Sequence, residues 1–293
     1  MPSDLPSIAP TDGRPMLSAT LAPLLRGEGA LPIREALARL SRLGYRGVQL
    51  AATDPETRPR DLSPSARRDL AAALARCELA CSGIDLFIPP EHFTDGAFAT
   101  RAFEAARDAI GLAADLGRAT VVLPDLDGAP ELRATLAAEA LHRGVRIAIP
   151  GRGPGGAAAG GSAAVAGSGV AETAAAGGAP STERFSEPLS ACVDCAASLA
   201  AGERPDASVL ALGSALGAVR VVDLTRSGMR GPIGQKGEAR LDVAALRVAL
   251  DVVGFVSGFG SGFCGLPVVD ARQWLAPADG LARSIACWIA HAP

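Results

Sequence analysis

The chain has 293 residues, with 28 basic and 31 acidic side chains, a formal charge of −3, and 48% hydrophobic residues. That length buries a sizeable core, as one large domain or two ordinary ones, and the near-neutral balance excludes a generic nucleic-acid binder, which would show a basic face. No apolar run reaches the roughly 18 residues that a membrane helix needs. The opening MPSDLPSIAPTDGRP has no charged segment followed by an apolar one, so no secretory leader is expected and 1–15 reads as a flexible segment ahead of a single domain over 16–293. The six cysteines, Cys77, Cys81, Cys192, Cys195, Cys264 and Cys287, match no secreted disulfide framework and are expected as reduced thiols in a cytoplasmic protein.

Short strand-like runs alternate with longer helical ones. Met16 to Leu24 reads as a first strand. Ile33, Leu37, Leu40 and Leu43 share one helix face, and Gly44 sits where a C-capping glycine belongs. Arg46 to Ala52 reads as a second strand. Ser63 and Pro64 give an N-cap and a first-turn proline to a helix over Ser65 to Cys77. The pattern continues with strands at Leu79–Ile88, Ala119–Pro124 and Val145–Pro150, separated by helices at Phe98–Leu116 and Pro130–His142. The second half has strands at Leu189–Asp194, Ala218–Leu224 and Leu266–Ala271, with helices at Ala207–Leu216, Leu241–Val252 and Pro277–Ala290.

Repeated alternation of strand and helix implies parallel strands with crossover helices. Eight strands and about eight helices predict an α/β (β/α)8 TIM barrel, for which about 250 residues is usual. A doubly wound open sheet is the alternative, but it would want a glycine-rich phosphate loop after the first strand, and none is present. Residues 151–180 interrupt the rhythm with 10 Gly and 11 Ala. They carry almost nothing to bury, so a disordered low-complexity loop between the fifth and sixth strands is expected.

LARLSRLGYRGVQLAA, GIDLFIPPEHF, the helix ending AADLG, ATVVLP, VRVVDL, GQKGEARLD and PVVDAR occur in that order. Together they resemble the sugar phosphate isomerase/epimerase family of xylose isomerase-like TIM barrels, over most of the chain. The resemblance implies an isomerase or epimerase of a small sugar or sugar phosphate. In that family a divalent metal, Mn²⁺ or Mg²⁺, polarises the oxygens while carboxylates move a proton between adjacent carbons. The family's ligands are two Glu, two His and an Asp on strands five to eight. Here strand five ends at Pro150, and the two His places fall at Ala197 and near Arg220. Asp194, Asp223 and Asp270 remain as the carboxylates for catalysis or for an oxygen-only metal site. Equally, these aspartates cap strands and pair with arginines such as Arg226 and Arg272. A barrel that kept the scaffold, lost the metal and now binds a ligand or partner is the competing reading. A phosphodiesterase resembling the endonuclease IV relatives is set aside, because three histidines cannot supply its ligands.

Further candidates come from position. Asp85 ends strand three, where barrel catalysts sit, and Glu91 and His92 follow on its loop as an acid/base pair or as a merely exposed one. Gln49 inside strand two is placed to bond a sugar hydroxyl. Arg226, Arg230 and Lys236, among glycines and proline, suit an anion, with Arg272 nearby on the last strand. Asp242 is expected as a helix N-cap. Cys192-x-x-Cys195 lacks the two further ligands of a zinc site and reads as structural thiols. The expected partner is a small sugar or sugar phosphate, with no nucleic acid and no membrane; a homo-oligomer is compatible.

Overall fold

A computed structural model describes residues 15–27, 29–150, 189–255 and 265–291. The first 14 residues, the expected Gly/Ala loop and Cys264 lie outside these.

The helix signals act where the sequence puts them. α1 (Ile33–Leu43) buries Ala36, Leu37 and Leu40 and ends on Gly44 at φ +98°, a left-handed conformation that costs a glycine nothing. α2 (Pro64–Arg76) starts with Ser63 Oγ accepting the Ala66 N–H at 3.2 Å. α3 (Ala99–Asp115) and α4 (Pro130–Arg143) follow, the latter capped by Gly144 at φ +64°. α7 (Val243–Val252) is capped by Asp242, which accepts the Ala245 N–H at 2.9 Å, as expected. α8 (Pro277–Ala290) closes the chain.

Between them run β1 (Ser18–Thr20), β2 (Gly47–Ala51), β3 (Ala80–Asp85), β4 (Thr120–Val122), β5 (Ile147–Pro150), β6 (Leu189–Asp194), β7 (Leu216–Val221) and β10 (Val268–Val269). Every pairing among them is parallel, and the order β1-β10-β7-β6-β5-β4-β3-β2 returns to β1, closing the predicted (β/α)8 barrel. All five residues of β2 are buried, because helices cover the outer face while side chains fill the inside. Outward residues such as Leu50, Ile84 and Val121 join the main core. Inward ones such as Val122, Ala148, Cys192 and Ala218 form a separate small cluster inside the ring.

Several elements differ from expectation: the third strand ends at Asp85 rather than Ile88, and the last spans Val268–Val269 rather than Leu266–Ala271. The first strand stops after three residues and becomes a 3₁₀ turn at Ala22–Leu24, since Pro23 has no N–H for a ladder. The helix expected at 207–216 is α6 (Pro205–Leu212), opened by Pro205 in its first turn. The six-residue α5 (Cys195–Ala200) was not anticipated. The seventh strand ends at Val221, and β8 (Asp223–Leu224) instead pairs antiparallel with β9 (Arg230–Gly231). Among the described residues no helix is long and apolar enough to cross a membrane.

Candidate functional site

Strand periodicity builds the site. Ser190, Cys192 and Asp194 alternate along β6, so they share its inner face. On β7 a register shift opposite Ala191 and Cys192 inserts Gly217, after which Cys192 pairs with Ala218 and Asp194 with Arg220. The shift therefore puts Arg220 on the same inner layer as Asp194. Asp85 ends β3 and Asp270 follows β10, so both arrive at the carboxyl-terminal mouth where barrel sites lie. Arg230 comes from β9 and Arg272 from the segment after β10.

These six side chains form a closed ring of alternating charge. Arg220 Nη2 donates to Asp85 Oδ1 at 2.7 Å, and its Nη1 lies 3.9 Å from Asp194 Oδ2. Arg230 grips Asp194 with both terminal nitrogens, at 3.0 and 2.8 Å, and reaches Asp270 at 3.5 Å. Arg272 holds Asp270 through Nε at 2.8 Å and Nη2 at 2.6 Å, and its Nη1 donates to Asp85 Oδ2. The two-pronged pairs are the geometry at which a planar guanidinium is strongest. Three negative and three positive groups cancel, which is how so much charge is tolerated at side-chain exposures of 4% for Asp85 and Asp270 and 12% for Asp194. Burial by itself pushes the Asp270 carboxyl up, but the hydrogen bonds and charge of Arg272, with the charge of Arg220, outweigh it and hold it below the ordinary range.

The ring lies in a cavity of about 910 Å³, whose walls include Phe87, Trp274 and Leu275. That is the size of a small-molecule site. Phe87 is 66% exposed and carries the Arg272 guanidinium 4.9 Å from its ring centroid, a cation–π contact.

Asp85, Asp194, Asp270, Arg230 and Arg272 are thus brought together. Other expected site residues are not in this ring. Asp223 is 1% exposed and serves the loop behind the mouth: its Oδ1 accepts the N–H groups of Leu224, Arg240 and Leu241 at 2.8–3.0 Å. Burial raises its pKa, and those N–H groups only partly offset the rise. His92 stacks on Phe98 at 4.7 Å beside a second cavity of about 340 Å³, because the 3₁₀ turn Pro90–Phe93 carries it away from the mouth. Glu91, on the same turn, is exposed. Gln49 is buried, with an Oε1 that has no hydrogen-bond partner. Arg226 and Lys236 are exposed on the loop; the Arg226 backbone N–H donates to Glu238 Oε2 at 3.1 Å. Cys192 and Cys195 are fully enclosed; burial pushes the Cys192 thiol up to about 12 and Cys195 up as well, which disfavours the thiolate that redox or zinc chemistry needs. The residue that sequence reasoning passed over is Arg220. Its signal was a charged side chain inside an otherwise apolar strand, a placement that needs a partner.

No family model and no curated sequence matches the chain. Its fold is that of xylose isomerase-like TIM barrels. A sugar phosphate isomerase/epimerase from Parabacteroides distasonis superposes with a TM-score of 0.58 at 14% identity, covering 94% of this chain and 96% of that one. A 3-keto-D-glucoside 4-epimerase from E. coli gives 0.64 at 13%, covering 94% and 99%. A xylose isomerase-like TIM barrel protein from Mycobacterium smegmatis, in complex with magnesium, gives 0.63 at 13%, covering 94% and 95%.

The residues of this mouth do not fit such an ion. A divalent cation wants six or more oxygen ligands with lone pairs free to point at it. Here each of the six oxygens of Asp85, Asp194 and Asp270 already accepts from a guanidinium or a backbone N–H. Three guanidiniums in the same ring would also surround the ion with like charge. Among the described residues, no group of three or more His, Cys, Asp or Glu side chains is placed to share a metal.

Proposed function

We propose that the mouth binds a small sugar or sugar phosphate and shifts a proton between its carbons, as an isomerase or epimerase does. The observation that carries this reading is the convergence of three carboxylates and three guanidiniums in one cavity of small-molecule size. Moving a proton next to a carbonyl needs a base at the carbon and positive charge at the oxygen where negative charge develops. Guanidiniums supply the second without a metal. Asp194 suits the first, since it is the most exposed of the three carboxylates and its clamp, Arg230, stands on the β8–β9 hairpin rather than on a barrel strand. A ligand oxyanion that draws Arg230 to itself frees Asp194 to act. Phe87 and Trp274 offer apolar faces to the C–H side of a sugar ring.

The saturation of all six carboxylate oxygens favours a second reading, a barrel that binds such a ligand and does not turn it over. Solvent-hydrogen exchange separates the two. Incubated in D₂O with a panel of aldoses, ketoses and their phosphates, the isomerase exchanges a C–H next to the carbonyl of its substrate, visible by NMR. Asp194→Asn then lowers that exchange by at least about 100-fold. Binding of a panel member with no exchange establishes the second reading instead, and neither binding nor exchange removes both.

A further inference from the structure

We infer that the guanidinium of Arg220 is the built-in cation of this mouth, holding the aspartates together and presenting positive charge to a ligand oxygen in place of a divalent metal. Arg220 is only 9% exposed. It touches Asp85 at 2.7 Å and Asp194 at 3.9 Å, and the negative charge of Asp270 also acts on it. It is the one ring arginine carried on a barrel strand, so the inner face of β7 fixes where its charge sits. Its donors are also the least spent. Arg272 commits three nitrogens to carboxylates and Arg230 two, whereas Arg220 commits Nη2, while its Nε is buried with no acceptor. The buried Nε lies out of a ligand's reach, but Nη1 stands 3.9 Å from Asp194 Oδ2 with no carboxylate bond among the described residues, and it is the donor left for a ligand's oxyanion. The ligand class that meets these donors is one with an anionic or enediolate-like oxygen; only that clause rests on the function proposed above, and the cation role does not.

The test uses the purified full-length protein and manganese alone. For the wild type, neither about 1 mM MnCl₂ nor EDTA moves the melting temperature, and electron paramagnetic resonance shows the added Mn²⁺ as free. Arg220→Gln leaves the mouth with one uncompensated negative charge. It melts several degrees lower, recovers part of that loss with Mn²⁺, and binds Mn²⁺ at least about tenfold more tightly than the wild type. Arg220→Lys keeps a cation in place and shows no Mn²⁺ effect. Should Arg220→Gln not accumulate as folded protein, refolding with Mn²⁺ present raises its yield. Tight Mn²⁺ binding by the wild type that Asp194→Asn removes overturns the inference. So does an Arg220→Gln protein whose stability or refolding yield is indifferent to Mn²⁺. These arms need no turnover, and the D₂O exchange needs no metal, so either proposal fails without the other.

Discussion

Asp85→Ala is expected to lower stability by about 3–5 kcal/mol, the cost of stripping one partner from a buried ion pair. Asp85 is 3% exposed and, among the described residues, is the only carboxylate that pairs with both Arg220 and Arg272. Its removal leaves two guanidiniums facing each other across the space it filled, with the ring at three positive and two negative charges. At the usual conversion for a chain of this size, the melting temperature drops by roughly 10 °C. A double-mutant cycle sharpens the point. Adding Arg220→Ala to Asp85→Ala restores the charge balance, so the second substitution costs less than it does in the wild type. Thermal and urea unfolding of the four proteins measures this; strictly additive costs would show that the two groups stand apart.

Gly217→Ala is expected to cost about 2–3 kcal/mol, although it adds one methyl group. A Cβ at this position would lie 2.6 Å from Ser190 Cβ and 1.8 Å from Ser190 Oγ. The hydroxyl can rotate, at the loss of its 2.7 Å bond to the Ile147 carbonyl, but the Ser190 Cβ cannot leave without moving β6. The glycine sits at the register shift that brings Arg220 beside Asp194. The strain therefore propagates to the ring, and the variant loses stability and ligand binding together. Ser190→Gly in the Gly217→Ala background removes the clash and should recover most of the lost stability in urea titrations. No recovery would place the cost elsewhere.

How far the sequence could be read follows from where each signal resides. β6 at Leu189–Asp194 and α8 at Pro277–Ala290 match expectation to the residue, because a Pro at a helix start or a carboxylate at a strand end is written locally. The same holds for the N-caps Ser63 and Asp242. Asp85, Asp194 and Asp270 were legible as mouth residues because each stands at the end of an apolar strand. Asp223 stands at such a position too, yet its partners are N–H groups of Arg240 and Leu241, 17 and 18 positions further on, and nothing local announces them. Arg220 was hidden differently. Its place falls near a histidine of the resembled family, and its neighbours Asp85 and Asp194 are set by barrel closure and by a register shift that the one-dimensional pattern does not show. His92 was near the mouth in sequence, but a turn of four residues sent it to Phe98.

One cavity, walled by this ring, is where the ligand is expected to bind. Arginine Nε–H resonances in a ¹⁵N-labelled sample report it directly during titration with sugar phosphates from the panel. The signals of Arg220, Arg230 and Arg272 are expected to move together along a single saturating curve for the phosphate that binds. Signals from Arg58 and Arg101, which border the neighbouring cavity beside His92, should stay still. Movement of that second pair, with the ring arginines unchanged, would contradict it.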